Sequence, residues 1–161
     1  MRSCIRRGPS SRRRWRTTRR RAAGHLGGVR GRAPPRIRLF VLYHDPATLD
    51  RVPDSHGLQK GLMGVVHAFA LTAMAGSNNI VIAHELMHTL GASDKYDLGS
   101  GAPLYPLGFA EPDREPLYPQ VRAEIMAGRR ALSRQDFEMP QGLRDVVVGP
   151  ATALEIRWTR P

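Results

Sequence analysis

Two histidines four residues apart in an apolar segment constrain this chain more than anything else in it. Residues 82–97 read I-A-H-E-L-M-H-T-L-G-A-S-D-K-Y-D. On an α-helix, residues four apart share one face, about 40° from alignment at 3.6 residues per turn. His84 and His88 can therefore aim both imidazoles at one metal ion. Glu85 sits beside the first ligand, where a general base for metal-activated water belongs. Gly91 accepts a left-handed conformation that a Cβ resists, which ends the helix and turns the chain back to deliver Asp94 as an oxygen ligand. The expected site is a zinc ion on His84, His88 and Asp94, with Glu85 as the catalytic base. Three protein ligands leave the fourth tetrahedral position open, which separates a catalytic zinc site from a closed structural one.

Chance is a poor explanation for the pattern. In a shuffled chain of this composition, H-E-x-x-H arises roughly once in a hundred, and adding the Gly and Asp lowers that to roughly a few in a hundred thousand. The bland reading is an exposed helix with two solvated histidines. Its flanks argue otherwise: Ile80, Val81, Ile82, Ala83, Leu86, Met87 and Leu90 make the segment apolar on most of its surface, as in a buried helix. Buried histidines and a buried glutamate need partners, and a metal supplies one. The helix is predicted over 78–90, with Ser77 as its N-cap.

Here the chain resembles the metzincin-like zinc peptidases, in the branch whose third ligand is aspartate. Snapalysin-type peptidases share H-E-x-x-H-x-x-G-x-x-D-x-Y, matched by His84 through Tyr96. Immune-inhibitor-A-type peptidases show a similar G-x-x-D-x-Y-D run, matched by Gly91, Asp94, Tyr96 and Asp97. Residues 123–128, A-E-I-M-A-G, resemble the family's Met-turn, a tight turn placing a methionine (here Met126) beneath the zinc. The likeness covers roughly residues 60 to 130. The connection from Asp94 to Met126 is longer than in the smallest members, and five prolines between Leu98 and Pro119 exclude a regular helix there. Tyr105 and Tyr118 in this loop either rim the cleft or anchor a packed surface loop, and the packed loop is favoured. For the third ligand, Asp97 and Glu124 stand as alternatives to Asp94.

Residues 37–43, I-R-L-F-V-L-Y, read as a strand ending at the turn signal His44-Asp45-Pro46, and residues 62–71 read as a second. Ser133 with Asp136 three residues on predicts another helix start. Val146–Val148 reads as a short strand, and Gly149-Pro150 opens a terminal helix to Trp158. This order is consistent with an α+β, zincin-like fold: a twisted sheet packed on the active-site helix, then a small, mostly helical C-terminal part. In that layout the strand before the active helix is the sheet edge lining the cleft, able to hold an extended peptide by strand addition. His67 on that strand reads as a structural residue rather than a substrate contact, and His25, His44 and His56 fall outside any ligand spacing.

The formal net charge of +11 points to nucleic acid only until it is divided. Residues 1–38 hold 14 arginines and no acid; the remainder holds nine arginines and two lysines against 14 acids. The positive charge thus belongs to an Arg-rich tail, 1–36, with too little apolar surface to fold, and nucleic acid is not the expected partner of domain 37–161. With 23 arginines against two lysines, the coding sequence reads as GC-rich and bacterial, and the tail as a mis-assigned start before a disordered electrostatic arm. Metzincins carry a further strand and helix ahead of the first strand, so the resemblance implies an N-terminally truncated domain. Cys4 is the only cysteine, which excludes an intrachain disulfide and a cysteine-based zinc site. No apolar run has the length of a membrane span and no secretory apolar run follows the arginines.

The function expected is zinc-dependent endopeptidase activity on a peptide or protein substrate. Zinc lowers the pKa of its water to about 7. Glu85 takes the water's proton and passes it to the leaving amine. Tyr96 either donates a hydrogen bond at the site or packs beneath it. The alternative is a non-catalytic, metal-stabilised domain with an Arg-rich tail that binds nucleic acid, a reading that leaves Glu85 without a purpose.

Overall fold

In the computed structural model, which describes residues 36–160, β-branched and aromatic residues build the first and third strands where the pattern predicts them. Strand β1 (Arg38–His44), β2 (His56–Leu58) and β3 (Met63–Phe69) form one sheet in the order β1-β3-β2. β1 and β3 run parallel, while β2 is antiparallel to β3. Alternate residues of β3 (Gly64, Val66 and Ala68) are buried, as the two-residue period of a strand with one covered face requires. The Arg-rich tail lies outside the described residues except for Arg36.

The strand before the long helix is therefore central and not the sheet edge, which corrects the expectation from sequence. β2 pairs with Met63–Val65, and Ser55 Oγ accepts the His67 N–H at 2.9 Å. The edge that borders the cleft belongs to β2. Gly57 allows this, because a Cβ there would fall 2.4 Å from the Glu85 carbonyl oxygen and 2.7 Å from His88 Cβ. Only a residue without a side chain lets this strand lie against the helix.

Helix α1 (Ala75–Leu90) follows a 3-10 turn at Thr72–Met74 and starts three residues earlier than predicted. Ser77 is not its N-cap: its hydroxyl donates to Met74 O at 3.0 Å from within the first turn. The preceding turn supplies the helical entry that a cap would otherwise provide. Asn78 Nδ2 donates to Phe69 O at 2.9 Å, tying the helix start to the end of β3. The helix ends as expected, with Gly91 at φ 106° and the Ala92 N–H returning to Met87 O at 3.0 Å, a left-handed stop open to glycine.

Beyond Gly91 the chain is not mostly helical. It forms β4 (Ala123–Glu124), β5 (Arg130–Ala131), β6 (Phe137–Glu138), β7 (Val146–Val147) and one six-residue helix, α2 (Pro150–Glu155). The helix expected from Ser133 is absent because its hydroxyl closes a turn instead. Ser133 Oγ accepts the N–H of Gln135 and Asp136 and donates to Asp136 Oδ2, joining β5 to β6 as a hairpin. In the proline-rich loop, Tyr105 and Tyr118 pack edge to face on the buried Phe109 at 5.4 and 5.9 Å, and neither lines the cleft. Ile80, Ala92, Ile125 and Met126 form the core, with Met87, Val146 and Ile156 packed against it.

An ion pair between a buried lysine and a half-buried glutamate closes the domain behind the site. Lys95 is 3% exposed, and its Nζ donates to both Glu155 oxygens at 2.8 Å and to Ser93 O and Oγ. Burial pushes the Glu155 pKa up, but the Lys95 and Ser93 hydrogen bonds outweigh it and leave it below the usual 4.5. A depressed carboxylate pKa adds stability that is full above the unfolded-state value and lost as pH falls through the folded one. Glu155→Gln should cost about 1–2 kcal/mol at pH 7, since Glu155 is partly solvated. In urea unfolding, that difference from the parent chain should shrink below pH 4.5; a difference unchanged down to about pH 3 would show that the pair contributes no charge effect.

Candidate metal centre

His84 and His88 project from successive turns of α1, and the backbone sets their tautomers. His84 Nδ1 lies 3.0 Å from Ile125 O and His88 Nδ1 lies 2.9 Å from Ala92 O. A carbonyl oxygen only accepts, so each Nδ1 carries a proton and each Nε2 is left with a lone pair. Those two Nε2 atoms are 3.0 Å apart. Asp94 Oδ1 completes a triangle, 3.1 Å from His84 Nε2 and 3.2 Å from His88 Nε2. Atoms held about 2.0–2.1 Å from a tetrahedral zinc stand roughly 3.3–3.4 Å from one another, close to this spacing. Three electron-rich atoms at such distances repel unless a cation or proton lies among them. Among the described residues, His84, His88 and Asp94 are the one cluster of histidine, cysteine or acid side chains with this convergence.

Two buried oxygens here lack a hydrogen-bond partner, Glu85 Oε2 and Asp94 Oδ1. Orphaned buried acceptors are costly and mark places where a further group belongs. The donor set of two imidazoles and one carboxylate, with the lone pairs already aimed inward, fits zinc. Burial raises the Glu85 pKa against the lowering influence of the three histidines around it. The close approach of His84 holds Asp94 below the usual carboxylate range. Burial alone would lower His84, but the adjacent Asp94 carboxylate, the hydrogen bond to Ile125 O and the nearby negative charges carry its pKa above the ordinary histidine value.

The other sequence-derived candidates separate clearly. Asp97 is exposed and its Oδ1 accepts from Ser100 N–H and Oγ at 2.8 and 2.7 Å, which takes it out of the site. Glu124 is fully buried but spent on structure: its oxygens accept from Met126 N–H, Ala127 N–H, Gly149 N–H and the Thr152 hydroxyl. Met126 lies in the core next to Ile125, whose carbonyl orients His84. Gly128 takes φ 67° as the chain leaves this turn. The Tyr96 ring stands 6.2 Å from that of His84. Burial and the charges of Asp94 and Glu85 raise its phenol pKa, keeping the O–H a donor at neutral pH. His67 lines the cleft and is paired with His44 at 2.8 Å, a partnership that gives His44 a role it lacked in the sequence. His25 is outside the described residues.

The site opens on a cleft of about 730 Å3, bounded by 51–58 on one side and by Tyr96, Gly101 and 127–129 on the other. Sequence reading missed the structural roles of three groups that shape it: Gly57 under the helix, the Lys95–Glu155 clamp beside Asp94, and Glu124, considered there only as a ligand, beneath the Met126 turn. Of these, only Glu124 carried a local signal, as an acid two residues before Met126 with two amides to satisfy. The purified chain should carry one zinc per molecule by elemental analysis. Asp94→Ala should weaken zinc binding at least about ten-fold, while Asp97→Ala should leave it unchanged, in competition with a chromogenic chelator. Equal affinity in all these proteins would remove Asp94 from the ligand set. The chain matches no family model, no curated protein and no solved structure.

Proposed function

We propose that this chain is a zinc-dependent endopeptidase of metzincin-like type, with His84, His88 and Asp94 as metal ligands and Glu85 as general base. The observation that carries the reading is the convergence of three lone-pair atoms within 3.2 Å of one another beside a buried carboxylate oxygen that has no partner. A zincin-like fold is part of the same reading, supported by a sheet packed on the helix that holds both histidines.

Bound zinc supplies Lewis acidity, which polarises a scissile carbonyl and makes a water acidic enough to lose its proton near neutral pH. The chain's own residues supply the rest. Glu85 accepts that proton on Oε2 and returns it to the leaving amine. A pKa raised by burial brings a carboxyl group closer to the range in which it can both take and give a proton. Tyr96 offers a phenolic O–H from the side of His84, suited to a developing negative charge on the substrate oxygen. The free edge of β2 provides backbone N–H and C=O groups along the cleft, which suits an extended peptide added as a further strand. This assignment moves substrate binding from β3, where the sequence placed it, to β2.

A purely structural metal site has no use for an orphaned glutamate oxygen, so Glu85 also weighs against the metal-stabilised, nucleic-acid-binding alternative. Glu85→Gln should keep zinc and fold but lower cleavage of casein by at least about a hundred-fold, because an amide cannot accept the water's proton. A chelator should abolish cleavage by the parent chain. Chelator-insensitive cleavage, or a Gln variant as active as the parent, would refute the mechanism.

A further inference from the structure

The cleft holds a cation that neither the metal site nor the fold uses. Arg129 lines it just past the Met126 turn, opposite the 51–58 segment. Its guanidinium carbon lies 5.3 Å from the centroid of the Phe137 ring, a cation–π contact that orients the guanidinium plane. It also packs beside Gly101, where an added Cβ would come to 3.4 Å from Cζ and Nη1. The other cleft arginine, Arg51, is paired with Asp54 at 3.3 Å, and the next residue, Arg130, is paired with Glu138. Among the described residues no hydrogen bond or ion pair engages Arg129. A guanidinium presents five donors in a fixed fork that matches a carboxylate. Arg129 therefore offers an oriented, unneutralised anion receptor on the Tyr96 side of the cleft.

We propose that Arg129 is a specificity-determining residue that binds a carboxylate of the substrate, supplied by an acidic side chain or by a free C-terminus, while the scissile bond lies at Glu85. The inference deepens the peptidase reading and rests on it for the identity of the ligand as a peptide. A glutamate or aspartate near the cleaved bond would favour an endopeptidase of acidic sequences, whereas a terminal carboxylate would favour trimming from the C-terminal end. Both use the same bidentate contact.

The test is equilibrium binding of three fluorescein-labelled hexapeptides to the full chain, by fluorescence anisotropy. One carries an internal glutamate and a C-terminal amide, one has glutamine in its place, and the third has that glutamine and a free terminal carboxylate. A Glu85→Gln background prevents cleavage, and each titration is run with zinc and again after chelation. At least one carboxylate peptide should bind about three- to ten-fold more tightly than the neutral one, and whichever does so identifies the source. Arg129→Met should erase the preference, Arg129→Lys should keep part of it, and Arg51→Ala should keep it all. Equal binding of all three peptides, no binding of any, or a preference that survives Arg129→Met overturns the proposal. Casein cleavage by the parent chain reads the peptidase assignment separately. Zinc-dependent cleavage without a carboxylate preference overturns the Arg129 role alone. A carboxylate preference without cleavage upholds Arg129 as an anion receptor and overturns the peptidase reading.

Discussion

Three consecutive residues, Glu124, Ile125 and Met126, hold the centre of this structure through interactions that each reach a different part of the chain. The Glu124 carboxylate gathers the amides of its own turn together with Gly149 N–H and the Thr152 hydroxyl. The Ile125 carbonyl accepts the His84 Nδ1 proton, and the Met126 carbonyl accepts the Lys95 N–H at 2.9 Å. The first contact anchors the turn to α2, the second sets a histidine tautomer, and the third fixes the backbone next to Asp94. A carboxylate buried without such donors would be expensive; with four of them it becomes a rigid pin. The convergence of His84, His88 and Asp94 depends on that pin, because His84 and the backbone beside Asp94 are positioned by the residues it holds.

The same economy appears at the second histidine. His88 needs no distant partner, since the reversal at Gly91 carries the Ala92 carbonyl to within 2.9 Å of its Nδ1. One left-handed residue thus ends the helix, orients His88 and starts the path to Asp94. On the far side, Lys95 and Glu155 clamp that path from behind. Fixing these side chains through a surrounding layer of hydrogen bonds narrows the freedom each would lose if a cation were taken up, as proposed.

The cleft divides its tasks by charge and shape. Apolar packing places Met126 and the aromatic loop away from the cleft. The β2 edge supplies backbone groups, Glu85 an acceptor, Tyr96 a donor and Arg129 a cation. These groups come from segments far apart in the chain, and each is presented by a constrained element: a strand under a glycine, a helix, or a turn closed by a buried acid. A site built that way holds its geometry before any ligand arrives, which lowers the ordering cost of binding.

Some of this was legible residue by residue. The helix and its stop at Gly91 followed from local rules, because 3.6-residue periodicity and left-handed glycine are properties of a few adjacent residues. So did the convergence of His84 and His88, which needs only one turn of helix. The strands β1, β3 and β7 were visible in their apolar composition for the same reason. Spacing from His88 favoured Asp94 over Asp97, and the structure adds a physical reason, with Ser100 closing a turn on the latter. The Ser133 turn was misread as a helix because the same Ser and Asp spacing serves either structure, and the neighbouring backbone decides. The edge position of β2 depended on Gly57 meeting α1, a contact between residues 28 and 31 positions apart in the chain. Glu124, Glu155 and Arg129 took their roles from partners brought near by folding. Local chemistry determined the parts of the site, and long-range packing decided which acids, amides and cations face it, because sequence spacing carries no information about distance once the chain has turned back on itself.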